Sequence, residues 1–270
     1  MGAPTVSISD EHDLRGRALS MIPLLAPIFR GEWAAYGEAL ACAPQPPAGA
    51  VRVADLVTDP ALLAGLLQAH ARHLRMRKPD LRPVASAWSM DYLSALLPPV
   101  AAAASLLQHV FPMAPAQVWL TLADGAVPQR FHIPHEGQAL AGADTAARYA
   151  VLLHEHLAPL FAQLTRLTRI APKILWGNAS RYLEPVLEQG LALSGHAPSI
   201  ARDLQHLLHQ PHWGGDDNPM FTVQRKVVRM HAGAPEPLTL HRQCCLYYLL
   251  PEEGYCGACP LAPQFRKTTG

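Results

Sequence analysis

Four of the five cysteines crowd into one stretch near the C-terminus, Arg242-Gln-Cys-Cys-Leu-Tyr-Tyr-Leu-Leu-Pro-Glu-Glu-Gly-Tyr-Cys-Gly-Ala-Cys-Pro260. Cys244, Cys245, Cys256 and Cys259 are thus spaced as CC-x10-CxxC. Between Cys256 and Cys259, the small pair Gly257-Ala258 permits a tight turn that converges both sulfurs and turns backbone N–H groups toward them. Adjacent Cys244 and Cys245 would point to opposite faces of an extended strand. Both can act as ligands only if the backbone bends there or if the bound object is larger than one ion.

Three readings compete on this chemistry. A single structural zinc wants two spaced pairs, which a vicinal Cys-Cys fits poorly. A CxxC dithiol exchanging disulfides needs a thioredoxin-like strand and helix, and no such context precedes Cys256. A two-iron cluster spreads four thiolates over a wider body and relaxes the demand on the adjacent pair, so spacing favours it. Cys42 stands alone and reads as a small buried apolar residue. The fourteen histidines form groupings such as His70-x-x-His73, His132-x-x-His135, His154-x-His156 and His206-x-x-His209-x-x-His212, none of them HExxH. His154 and His156 do not share a helix face, whereas His206 and His209 do; all are read as surface or packed imidazoles.

The tail, with its terminal Cys-Pro, Arg242 before the first thiols and Leu246-Tyr247-Tyr248 after them, resembles the ferric-siderophore reductases of the FhuF type. Further matching features follow in order along residues 85 to 260: Leu96-Leu-Pro-Pro-Val-Ala-Ala-Ala-Ala104, the Asp124-Gly125 turn, and Ile174-Leu-Trp-Gly-Asn-Ala179. The segment before about residue 80 is divergent and carries no such feature. The resemblance implies that Cys244, Cys245, Cys256 and Cys259 ligate a 2Fe-2S cluster, with Cys42 outside the motif. It also implies an oxidoreductase that reduces ferric siderophore by one electron and releases Fe(II), taking electrons from a reduced protein or cofactor. Siderophores hold Fe(III) through hard, anionic oxygens, so lowering the metal charge weakens every bond at once. The rivals are a zinc-stapled binding protein and an iron–sulfur electron-transfer or sensor protein with no chelate substrate.

Around such a centre, the N–H groups of Gly257 and Ala258 are candidate donors to sulfur, and Tyr247, Tyr248 and Tyr255 are candidates to pack around it. Trp176 and Asn178 read either as a buried aromatic with its polar helix partner or as lining of the chelate pocket. Arg225, Lys226, Arg229 and Arg242 either attract an anionic chelate and screen the cluster or are ordinary exposed cations.

The elements that must hold these residues follow from periodicity. Helical spacing over residues 13 to 40 is broken by Pro23 and Pro27 and closed by a Pro-rich loop at 43–49. A helix is expected from Thr58 or Asp59, with Pro60 in its first turn and Leu62, Leu63, Leu66, Leu67, Ala71 and Leu74 on one face. The cations Arg72, Arg75, Arg77 and Lys78 complement its C-terminal dipole. Ser86 to Leu97 and Val100 to Val110 read as two buried helices split by Pro98-Pro99. Val118 to Leu122 alternates, Asp124-Gly125 turns, and Phe131 and Ile133 return, a small antiparallel hairpin. Helices are expected again over 146–170, from about Ile174 to Leu187, and over 200–208. Residues 211–219 are dense in breakers and read as a loop, 221–229 as a strand, 233–237 as a turn, and Leu246 to Leu250 as a strand. The fold class is α+β, mostly helical, with a small antiparallel sheet and a C-terminal cysteine-rich cluster-binding tail. Its regions are a divergent helical one at 1–80, a helical and hairpin body at 81–240, and the tail at 241–270.

The 270 residues are 50% apolar and only 16% charged, enough to bury a core without a metal. Net charge is +1, which supplies no field for gathering phosphates, so nucleic acid is excluded as a partner. No export leader is expected at the N-terminus. Tyr92 to Ala123 carries no charge, but its prolines and polar breaks make it a buried core segment rather than a membrane span. A cytoplasmic location follows, where thiols stay reduced; loose attachment to the inner face of the membrane is compatible with it.

Overall fold

The computed structural model describes residues 21–77, 80–231 and 234–266. The beginning of the first expected helical stretch, Lys78 and Gly233 lie outside them.

Pro23 and Pro27 hold the first described residues in turns, and only a short helix α1 (Ala34–Glu38) forms before strand β1 (Leu40–Cys42). Strand β2 (Val51–Arg52) leads into α2 (Val53–Thr58) and α3 (Pro60–His73). The α3 start follows the sequence signals: the Asp59 carboxylate accepts from the Ala61 and Leu62 N–H groups at 2.9 and 3.1 Å, and Pro60 occupies the first turn.

Helix α4 (Arg82–Leu106) corrects the expected split at Pro98-Pro99, because the helix runs through both prolines. Each removes a backbone donor and crowds the preceding turn. Burial offsets that cost: Leu96, Leu97, Val100 and Ala101 are all within the core, as are Trp88, Tyr92 and Leu93 a few turns earlier. The charge-free segment is therefore core, and among the described residues no helix is long and apolar enough to cross a membrane.

The expected hairpin is present as β3 (Trp119–Ala123) and β4 (Val127–Ile133), antiparallel with Leu120 opposite Phe131. Gly125 turns the chain at φ +72°, and a Cβ there would meet the His73 ring at 2.4 Å, so no other residue fits. Sequence periodicity did not reveal that β1 adds parallel to β4 and β2 antiparallel to β3, giving a four-stranded sheet in the order β1-β4-β3-β2. Strands of two or three residues carry too little alternation to be read.

Helix α5 (Thr145–Ala150) passes through a π-helical stretch, Val151–Leu157, into α6 (Ala158–Thr168). Helix α7 (Pro172–Leu193) packs along α4, and α8 (Pro198–Leu204) follows. Two buried polar links lock these helices. Arg148 of α5 pairs with Asp203 of α8 at 2.5 Å while donating to the Ala104 carbonyl of α4. His156 meets the Tyr92 hydroxyl at 2.6 Å through Nε2 and the Met113 carbonyl at 2.7 Å through Nδ1.

The breaker run at 211–219 is a loop apart from a two-residue ladder between His212–Trp213 and Asp216–Asp217. The strand expected over 221–229 begins only at Lys226: β5 (Lys226–His231) pairs antiparallel with β6 (Ala234–Thr239). Residues 234–237, expected as a turn, are strand despite Pro235 and Pro237. A two-stranded hairpin has a free edge on each strand, where a missing N–H costs nothing. One continuous apolar core runs from Ile22 to Met220, and a second, small one is built from Leu240, Cys244, Cys259, Ala262 and Phe265.

Candidate functional site

The tail lies across the N-terminal half of α7 and the start of α4. Gly177, Arg181 and Glu184 fall on one face of α7 at helical spacing, and each receives part of the tail. A Cβ at Gly177 would sit 2.6 Å from the Gln243 side chain, so the missing side chain is what lets the tail approach. Arg181 Nη2 donates to the Gln243 carbonyl at 3.0 Å. Glu184 accepts from Arg242 Nη2 at 2.8 Å, and Arg242 Nη1 donates to the Thr222 carbonyl at 2.9 Å. Arg242 is buried. It is a structural cation, as Arg229 is in its ion pair with Glu236 at 3.1 Å; Arg225 donates to the Phe265 carbonyl. Of the four cations named from sequence, Lys226 and Arg242 line an open cavity beside the tail.

A second clamp comes from α4. Ser86 Oγ donates to the Cys245 carbonyl at 2.7 Å, and Asn178 Nδ2 lies 3.0 Å from both Ser86 Oγ and Ser89 Oγ. All three side chains are buried. Asn178 thus fixes the serine that fixes the backbone of a thiol. Trp176 packs edge-on against Phe161 and Trp213 in the main core. Within the Trp-Gly-Asn run, Gly177 and Asn178 thus serve the docking of the tail, and Trp176 belongs to the core.

Leu246, expected in a strand, takes a left-handed conformation at φ +62°, followed by a 3-10 turn at Tyr247–Leu249. This is the bend that the adjacent thiols require. It sends them to different partners: Cys244 Sγ lies 3.5 Å from Cys259 Sγ, while Cys245 hydrogen-bonds Cys256. All four are free thiols. The N–H of Leu246 donates to Cys244 Sγ at 3.4 Å, and the N–H groups of Tyr247 and Leu261 face Cys245 and Cys259. These three donors each lie two residues beyond their cysteine, and they stand where sequence pointed to Gly257 and Ala258. The fourth sulfur, Cys256, meets the His241 ring. Tyr248 and Tyr255 stack at 4.4 Å over the tail, and Tyr248 packs on its small core.

The electrostatics follow the pairs. The hydrogen bonds from Cys245 and His241 hold Cys256 well below the ordinary thiol range, and the same bond with Cys256, reinforced by burial, pushes Cys245 up. Arg181 favours the thiolate of both. Burial, with Cys244 alongside, raises Cys259 to about 11. Among the described residues, no three His, Cys, Asp or Glu side chains converge as they would on a single ion. Two adjacent pairs, with Cys244, Cys245 and Cys259 buried and Cys256 half-buried, suit a two-metal body with anionic sulfur better than one tetrahedral ion. Cys42 is remote from this, partly buried against the main core on β1.

A helical α+β body that presents such a cysteine tail defines an iron–sulfur oxidoreductase. Comparison with known families makes this specific. The model described as ferric iron reductase FhuF-like transporter matches residues 86–235, and the FhuF 2Fe-2S C-terminal domain matches residues 242–261. The chain belongs to this FhuF family, and its cofactor is a 2Fe-2S cluster. The ferric siderophore reductase of Escherichia coli (strain K12) is 24% identical over 223 residues, 76% of this chain and 77% of that protein. The zinc staple and the disulfide exchanger give way to the cluster.

Proposed function

We propose that this chain reduces ferric siderophore in the cytoplasm, or at the inner face of its membrane, and that Cys244, Cys245, Cys256 and Cys259 hold its cluster. When bound, the 2Fe-2S group supplies single electrons. The carrying observation is two contacting pairs of thiols within one short tail, with Cys244 Sγ 3.5 Å from Cys259 Sγ and Cys245 against Cys256.

The chain's own contribution is to position and tune. Ser86 and Asn178 fix the Cys245 backbone, and Arg181 and Gly177 set how closely the tail lies on α7. Hydrogen bonds to sulfur and the Arg181 charge favour the more negative, reduced state and so raise the potential. Each roughly 59 mV of driving force shifts a one-electron equilibrium tenfold. The substrate Fe(III) gains one electron, becomes Fe(II) and leaves its anionic oxygen ligands more readily; an external reduced protein or cofactor restores the electron.

The test is anaerobic. Protein reduced by dithionite and freed of excess reductant is mixed with a panel of ferric siderophores, and return of the oxidised visible spectrum is followed together with ferrous iron captured by a chromogenic chelator. Stoichiometric reoxidation with equal Fe(II) supports the reading; no reoxidation by any chelate defeats it and leaves electron transfer or sensing.

A further inference from the structure

Between the 28–36 segment and α7 runs a groove of ≈ 420 Å³. Its walls are apolar, with Phe29, Leu106 and Val186 among them, and its rim carries Trp33 and Tyr36, 43% and 37% exposed, their rings stacked at 6.0 Å. Two cations line it, Arg30 and Arg181, and among the described residues no carboxylate does. Arg181 is the side chain shared with the tail: it donates to the Gln243 carbonyl at 3.0 Å. Its Nε is buried and has no hydrogen-bond partner among the described residues.

The geometry points to this groove as the docking site of the ferric chelate, with Trp33 and Tyr36 against its organic skeleton and Arg181 toward its anionic oxygens. The inference rests on the reductase reading above and says where that substrate sits. Charge complementarity selects the occupant: an anionic ligand with an apolar exterior matches two guanidinium groups in an aromatic and aliphatic trough. Position supports it as well, because Arg181, on the groove wall, also reaches the backbone of Gln243, the residue before the first thiol. The adjoining cavity of ≈ 460 Å³ shares Arg181 and also carries Lys226 and Arg242, but Glu184, paired with Arg242, and Glu188 put two carboxylates on its wall, which the groove lacks.

Gallium(III) chelates keep the charge and shape of the ferric ones and cannot be reduced, so binding is measured apart from chemistry. Equilibrium dialysis of the anaerobic holoprotein against the gallium complexes of a tris-hydroxamate, a tris-catecholate and a hydroxycarboxylate siderophore is expected to show at least one binding. Trp33→Ala with Tyr36→Ala is expected to raise that Kd roughly tenfold, as loss of aromatic contacts commonly does. Val186→Trp, which fills the groove, is expected to abolish binding, with the visible spectrum of the cluster retained in both variants. Arg181→Gln is expected to weaken binding and Arg181→Lys to restore part of it. The proposal is overturned if none of the three complexes binds, if the groove variants bind like wild type, or if Lys226→Ala weakens binding while they do not. If gallium chelates bind in the groove but ferric ones fail to reoxidise the reduced protein, the site stands and the reductase reading falls.

Discussion

The body and the tail are held together by different physics. From Ile22 to Met220 every long element contributes to one apolar core, and α4 is buried along most of its length. The tail has five core residues, two of them thiols that are needed for chemistry. So small a core cannot offset the chain entropy of ordering some twenty-five residues. The tail is held by the clamps of α4 and α7 on one side and, on the reading proposed above, by the group its cysteines hold on the other. On that reading the body is stable by its own core while the tail depends on its cofactor.

The largest effect expected from this contrast is on the tail alone. Removing the cluster by chelation, or Cys256→Ser, is expected to abolish the visible absorption. Amide exchange over residues 242–261 should accelerate by about a hundredfold or more, as when a local unit opens, while α3 and α4 exchange as before. Loss of protection in α4 would break the distinction between the regions.

Acid should do the reverse and act on the body. His156 is fully buried between the Tyr92 hydroxyl and the Met113 carbonyl, and burial lowers its pKa to about 4. The unfolded imidazole, near 6.5, takes up a proton that the folded one refuses, so stability is full above that value and falls as pH drops toward 4. The expected loss is about 3 kcal/mol, read by denaturant titration at several pH values. His156→Gln should remove its share of that slope and leave the part due to His132, which burial likewise lowers to about 4; an unchanged slope would assign it elsewhere.

The seam between the regions comes next. Asn178→Ala removes the donor shared by Ser86 and Ser89 and is expected to cost about 1–3 kcal/mol. It should also speed cluster loss to a chelator, through the freed Ser86 and the Cys245 carbonyl it holds. A purely structural Asn would lower the melting temperature and leave the cluster-loss rate alone. Smallest in energy, and sharpest in geometry, is the pairing of thiols. Mild oxidation of cluster-free protein is expected to give Cys244–Cys259 and Cys245–Cys256 disulfides in peptide mapping, because these are the sulfurs in contact. A dominant Cys256–Cys259 bridge would show that the opened tail does not return to these contacts.

Where local chemistry decides, the residues could be read directly. Asp59-Pro60 starts α3 through a side-chain cap, and Asp124-Gly125 turns the hairpin because only glycine clears His73. Where burial decides, they could not. Pro98-Pro99 reads as a break, yet the core on both sides carries α4 through it. Leu246 to Leu250 reads as a strand because its side chains are apolar, yet the sulfurs and the small tail core bend it into a turn. Arg181 gave no signal, being one arginine on an ordinary helix; only the tail laid over it makes it the cation beside the thiols. Ser86 likewise became visible through a contact 159 positions away.

The sequence by itself determined the chemistry available: four thiols spaced CC-x10-CxxC, a neutral and apolar chain able to fold without metal, and the family to which that combination belongs. Tertiary structure decided which thiol meets which and that a groove with two arginines on its wall shares Arg181 with the tail. Spacing is a property of neighbours along the chain. Pairing and access come from surfaces far apart in sequence, brought together only by packing α4 against α7 and closing the tail over both.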